Sequence, residues 1–170
     1  CGQNRSNGPK RNTIICRCEA MMDINNFQRV GSKSNAHAGN EFEEVIQTFF
    51  AEQGINLARG FAATVGVGKL KKAHRFDLGS DDPALLIECK SHTWTQGGNS
   101  PSAKLTVWNE AMYYFHIAPK NFRKILFVLK HMKRDISLAS HYLNNYGHLV
   151  PDDVEIWEYC DREKIGERIR

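Results

Sequence analysis

Asp77, Glu88 and Lys90 carry the strongest chemical signal in the chain, with ten residues between the two acids and one between Glu88 and Lys90. Residues two apart on a strand point to the same face. Glu88 and Lys90 therefore project together from the apolar run Ala84–Cys89, and the turn signal Gly79-Ser80-Asp81-Asp82-Pro83 allows a hairpin to bring Asp77 beside them. Two carboxylates and an ammonium converging at a sheet edge form a Mg²⁺ site with a polarising lysine, which is equipment for hydrolysing a phosphodiester. In this reading Asp77 and Glu88 are ligands, assisted by the backbone carbonyl of Cys89. Lys90 stabilises developing negative charge and helps position or deprotonate the attacking water. Glu88 follows four apolar residues, Ala84 to Ile87. Burying a carboxylate there is costly unless it is paired or metal-bound.

The elements that must position these groups follow from periodicity. Phe42, Val45, Ile46, Phe49 and Phe50 make one apolar face of a helix from about residue 40 to 53. Asn40 is placed to cap it, Glu43 to complete a capping box and Gly54 to end it. Strands are expected at 61–67, 72–78 and 84–89. A polar loop from His92 to Ala103 leads into a helix to Ile117, with Ser102 as its cap and Pro119 beyond its end. A strand at 123–131, a helix at 135–146 and a strand at 154–159 complete the order, with a charged tail to Arg170. The expected fold class is α/β, three layers around a mixed central sheet. The division is a basic N-terminal arm or appendage at 1–38 and a catalytic domain at 39–170.

Composition sets the outer limits. At 170 residues, 41% hydrophobic and 25% charged, the chain is one ordinary globular domain with a short appendage. The net charge of +4 is too small to establish a polyanion partner, but its distribution is uneven. Lys120, Arg123, Lys124, Lys130, Lys133 and Arg134 form one acid-free cluster, and Lys69, Lys71, Lys72 and Arg75 form another. Both fit phosphate-backbone contacts or plain solvated surface. Five cysteines exclude a complete internal disulfide set. Cys89 reads as a buried hydrophobe, and Cys1, Cys16 and Cys18 lack the second pair of a zinc site. A reduced, cytoplasmic protein with no membrane span is expected. The start at Cys1 rather than methionine suggests a piece of a longer chain.

Asp77-x10-Glu88-x-Lys90, preceded by a helix carrying glutamates, resembles the PD-(D/E)XK nuclease superfamily over roughly residues 39–159. The position before the aspartate is often proline in that family and is Phe76 here. The resemblance implies the restriction-endonuclease-like fold with its αβββαβ core. It also implies that a first-helix glutamate joins the metal site. Glu43, bordering the apolar face, is favoured over Glu44, with capping alone as the other role. Implied too are Mg²⁺, with Mn²⁺ as a substitute, and double-stranded DNA as substrate. The activity would be a sequence-specific, type II restriction-like endonuclease leaving 5′-phosphate and 3′-hydroxyl ends. A homodimer follows if one chain with one site cuts both strands. The same motif serves junction resolvases and repair nicking nucleases, and a non-catalytic DNA-binding module or a protein-binding α/β domain are the rivals from other classes.

Around this core, Arg75, Gln96, Asn99, Ser102, Lys104 and Lys130 are the expected DNA contacts, the loop residues offering hydrogen bonds to bases or phosphate. Trp94 serves as a loop contact or a core anchor, Trp108 as packing, and His74 as either a structural or a functional group.

Overall fold

The computed structural model describes residues 35–170, arranged as three helices and a six-stranded mixed sheet with a small separate hairpin. Helix α1 (Asn35–Ala51) is followed by β1 (Ala58–Val65), β2 (Lys72–Asp81) and β3 (Ala84–Lys90). Helix α2 (Ser102–Ile117) leads to β4 (Arg123–Leu129), the short strands β5 (Met132–Lys133) and β6 (Ile136–Ser137), and α3 (Leu138–Tyr146). Strands β7 (Val154–Cys160) and β8 (Ile165–Arg168) close the chain. Cys1, Cys16, Cys18, the basic arm and the short apolar stretches expected before residue 31 lie outside the described residues.

The sheet order is β1-β2-β3-β4-β7-β8. The first three strands form an antiparallel meander, β3, β4 and β7 run parallel, and β8 returns antiparallel. The central strands are apolar on both faces because each face is covered. Leu85, Ile87 and Cys89 of β3 and Ile125, Phe127 and Leu129 of β4 pack with Phe42, Ile46 and Phe50 of α1. Leu86, Leu126 and Val128 face the other way, towards Leu105, Trp108, Met112 and Phe115 of α2 and Leu138 and Tyr142 of α3.

Several expected boundaries move. α1 starts at Asn35, so Asn40 is an interior residue rather than its cap, and the helix runs through the expected division at residue 38. Ala38 is buried and Phe42 stands one turn on, so the apolar face already begins in the small-residue stretch. Pro101, not Ser102, occupies the N-cap of α2, and no side chain caps that end. The segment expected to open a helix at Asp135 forms the β5–β6 hairpin instead. There Ser137 caps α3 by accepting from the Ser140 N–H at 3.0 Å. The charged tail forms β8, an edge strand beside β7.

One irregularity shapes the site end of the sheet. Gly60 and Asp77 stand opposite each other between the pairs Arg59↔Leu78 and Phe61↔Phe76. Phe76 packs on the α2 side and Leu78 on the α1 side, although residues two apart normally share a face. Arg59 likewise reaches α1, whereas Phe61 packs on the α2 side. Both strands thus exchange faces at this step. Gly60 permits the exchange with φ +60°, a conformation that L side chains rarely adopt. Gly79 has a separate requirement, since a Cβ there would meet the Phe61 ring at 2.6 Å.

Candidate active site

β3 brings Glu88 and Lys90 to its C-terminal end, and the hairpin to β2 supplies Asp77. The β2–β3 ladder ends at Leu78↔Ile87, so Asp77 is the first residue of β2 freed from it. Its Oδ2 accepts from the Cys89 N–H at 2.7 Å and from Lys90 Nζ at 3.1 Å. Lys90 Nζ also donates to Glu88 Oε2 at 2.6 Å. The three side chains named by the spacing therefore meet at one ammonium. The N–H and C=O of one strand residue leave on the same side. The Cys89 carbonyl consequently shares the edge on which its N–H meets Asp77.

Electrostatics sharpen the roles. Burial pushes the Glu88 carboxyl up to about 7, against the pull of Lys90. Burial also disfavours the Lys90 ammonium, but the Glu88 and Asp77 carboxylates outweigh it and hold Lys90 above the ordinary lysine range. Lys90 is thus a firmly protonated cation in this arrangement, suited to stabilising negative charge and unsuited to removing a proton. His74 lies 3.6 Å from Glu88 Oε1 and stacks on Tyr114 with 3.6 Å between ring centroids. Desolvation lowers its pKa, which keeps the ring neutral.

Beside the triad is a cavity of about 220 Å³, bounded by Ala38, Gly39 and Glu43 of α1, Asp77, Lys90, His92 and Lys104 among others. Glu88, which is buried, does not line it and meets Lys90 Nζ instead. Glu43 does line it, but its Oε2 accepts from Arg59 at 2.8 Å. Glu44 is more exposed and takes the other arm of the same guanidinium at 2.9 Å. Sequence spacing gave no sign of Arg59, whose side chain reaches α1 from the start of β1.

His92 is held in one tautomer. Trp108 Nε1 donates to His92 Nδ1 at 2.8 Å. An indole nitrogen only donates, so Nδ1 accepts and the neutral ring carries its proton on Nε2. Burial, with Lys104 and Lys90 nearby, lowers His92 to about 4 and keeps it neutral. The ring therefore offers the cavity a fixed donor. Trp108, expected to be packing alone, is fully buried and also sets this tautomer.

The expected DNA contacts separate into groups. Lys104 lies in the first turn of α2 at the cavity. Gln96, Asn99 and Ser102 are exposed, the first two on a loop closed by Gly98 N–H to Thr95 O at 2.7 Å and Asn99 N–H to Thr95 Oγ1 at 2.8 Å. Lys133 Nζ ties that loop down through the Gly98 carbonyl and lies over the Trp94 ring at 5.2 Å. Trp94 is buried in the core on the α2 side. Arg75 is exposed on β2. Lys130 stands past the end of β4 and pairs with Glu167 at 3.3 Å. Lys124, expected at the surface in the basic cluster, is instead fully buried and bonded to Asp153 at 2.7 Å, so it cannot reach a phosphate. Glu158, which no motif spacing marks, is buried on β7 in the same cross-strand row as Lys90.

The donor set suits a hard divalent ion. Among the described residues no group of three His, Cys, Asp or Glu side chains gathers to hold a metal. An ion would therefore draw on Asp77, Glu88, the Cys89 carbonyl and water, and Mg²⁺ commonly keeps several waters beside one or two carboxylates. Among the described residues no helix is long and apolar enough to cross a membrane. Comparison with family models, curated proteins and solved structures finds no match for this chain.

Proposed function

We propose that the protein is a Mg²⁺-dependent endonuclease of the restriction-endonuclease-like fold, cleaving double-stranded DNA in a sequence-specific manner. The observation that carries this reading is the meeting of Asp77 and Glu88 at Lys90 Nζ, at 3.1 and 2.6 Å, beside a cavity bordered by Lys104. The α/β order and the placement of Asp77 and Glu88 on adjacent antiparallel strands support the same reading.

A divalent ion held by Asp77, Glu88 and the Cys89 carbonyl would supply Lewis-acid stabilisation of the phosphoryl oxygens and lower the pKa of the attacking water. The chain's own residues do the rest. Lys90 presents a positive charge where negative charge grows in the transition state. His92 donates from Nε2 to an oxygen of the substrate, and Lys104 attracts phosphate at the start of α2, where the helix dipole adds to its charge. Glu43, with its carboxylate oriented by Arg59, is placed to hold water at the α1 wall. Two strand cuts by one site per chain call for a homodimer.

The test is incubation of the full chain with plasmid, linear duplex and four-way junction DNA, with Mg²⁺ or EDTA, followed by end mapping. Mg²⁺-dependent cleavage of linear duplex at defined sites is expected. Junction-only cleavage would move the assignment to a resolvase, and single-strand cuts to a nicking nuclease. Binding without cleavage of any substrate would leave a DNA-binding module.

A further inference from the structure

Beyond Gly60 and Asp77, β1 and β2 continue as a two-stranded ribbon. β2 pairs with β3 only from Leu78 to Asp81, whereas its pairing with β1 runs on to Val65↔Lys72. Because β2 and β3 are antiparallel, the ribbon projects from the sheet end that carries Lys90. At about 3.4 Å per residue, its turn lies roughly 20 Å beyond Asp77.

The ribbon's two faces differ sharply. Ala63, Val65 and Phe76 are buried in the core on the α2 side, His74 stacks on Tyr114, and the Gly66 N–H bonds Ile117 O at 3.3 Å. On the opposite face Ala62, Thr64, Ala73 and Arg75 are exposed, with Ala62↔Arg75 and Thr64↔Ala73 as register neighbours. Small side chains there let another backbone approach closely. From Ile55 to Phe76 the chain has no acidic residue, while Lys69, Lys71 and Lys72 cluster at the far end and Arg75 lies nearer the base, where its Nη1 donates to the Gly60 carbonyl at 3.3 Å. The turn exposes Leu70 at 86% and Val67 at 67%. Single exposed apolar side chains are ordinary. Here two share the tip of an arm whose ionised side chains are all basic.

We propose that this ribbon is a docking arm for the major groove of duplex DNA, with Leu70 and Val67 meeting thymine methyl groups while Lys69, Lys72 and Arg75 pair with phosphates. The choice of polymer rests on the nuclease reading. The major groove admits a two-stranded ribbon, and apolar side chains read the thymine methyl there. The basic tip complements the phosphates that flank the groove.

The experiment measures binding of the full chain to thymine-rich duplex by fluorescence anisotropy in Ca²⁺ across a salt series, with cleavage in Mg²⁺ assayed in parallel. Leu70→Ser and Val67→Ser should each weaken binding about 5- to 30-fold, comparable to loss of a base contact. That loss should shrink on a duplex with uracil in place of thymine. Lys69→Ala combined with Lys72→Ala should reduce the salt slope by about two. Wild-type affinity and slope in all these variants would overturn the arm, and a Leu70 effect undiminished on uracil duplex would overturn the groove assignment. Arm variants that lose affinity in a protein that cleaves nothing would leave the arm standing and remove the nuclease. Cleavage by a protein indifferent to the arm would do the reverse.

Discussion

Lys90 Nζ lies 2.6 Å from Glu88 Oε2, and the two residues stand two apart on one strand with their side chains largely buried. The ammonium is the cation that both Asp77 and Glu88 share. Lys90→Ala therefore leaves two carboxylates with no positive partner at the strand end. Breaking a buried pair by removing one member costs about 3–5 kcal/mol. The expected result is a marked loss of urea stability in EDTA that Ca²⁺ largely restores, together with at least a hundredfold loss of single-turnover cleavage. Equal stability of wild type and variant in EDTA would show that the ammonium is not needed to hold the carboxylates.

Asp77 has a second task, since its Oδ2 accepts the Cys89 N–H at 2.7 Å. Asp77→Asn keeps an acceptor oxygen but removes the charge. It should retain a melting temperature close to wild type and lose nearly all cleavage. Asp77→Ala removes the acceptor too, and a lost hydrogen-bond partner costs about 1–3 kcal/mol. Thermal melts of the pair, beside cleavage rates at saturating DNA and Mg²⁺, separate the two tasks. Wild-type rates in Asp77→Asn would exclude Asp77 as an essential ligand.

The Trp108–His92 bond makes a spectroscopic prediction. Ring ¹⁵N shifts should report a neutral His92 with its proton on Nε2 throughout pH 5 to 8, because burial and the Lys104 and Lys90 charges lower its pKa to about 4. Trp108→Phe frees Nδ1 to take a proton, so the pKa should rise and the fixed tautomer should be lost. A doubly protonated His92 at pH 6 in the wild type would contradict the arrangement.

Lys124 and Asp153 form an asymmetric pair, since the lysine is fully buried and the aspartate is partly exposed. Asp153→Asn strands a buried ammonium, whereas Lys124→Met returns an aspartate to solvent and to Lys120, which lies 3.4 Å away. Asp153→Asn should therefore be the more destabilising, by about 2–4 kcal/mol against a smaller change for Lys124→Met. Urea midpoints at pH 7 decide the order. Lys124→Met should also leave the salt dependence of DNA binding unchanged.

Glu155 governs part of the acid limit. The Arg123 hydrogen bonds, both at 2.8 Å, lead the effects that hold its carboxyl below the ordinary range. A carboxyl whose folded pKa is depressed contributes stability above its unfolded value, near 4.3, and loses it as pH falls through the folded one. Glu155→Gln should therefore show a shallower loss of stability between pH 5 and pH 3. A pair of unfolding curves with the same pH slope would remove Glu155 from the acid transition.

Much of the fold was legible because its signals are local. Phe42, Ile46 and Phe50 repeat at helical spacing, and the unbroken apolar runs of β3 and β4 mark strands covered on both faces. Glu88 and Lys90 share a face by strand geometry alone, so two of the three triad residues needed no tertiary information. Asp77 required the hairpin, which the Asp82-Pro83 turn announced, although Gly79, Ser80 and Asp81, expected in that turn, extend β2 instead. Elsewhere local signals misled. Asn40 and Glu43 have the spacing of a capping box, yet α1 begins at Asn35, because burial of Ala38 on the same face extends the helix past a local stop.

What remained hidden depends on residues far apart in the chain. Arg59 meets Glu43 only through the placement of β1 relative to α1, and Trp108 meets His92 only through the packing of α2 on the sheet. Lys124 looked like one more surface charge until its place on an inner strand buried it against Asp153. The face exchange at Gly60 and Asp77 belongs to two strands in register, and neither strand's own pattern contains it. Spacing along the chain determined which groups share a face, since one residue's geometry sets the next. Which faces meet was decided by sheet register and helix placement, where many small packing energies are settled together.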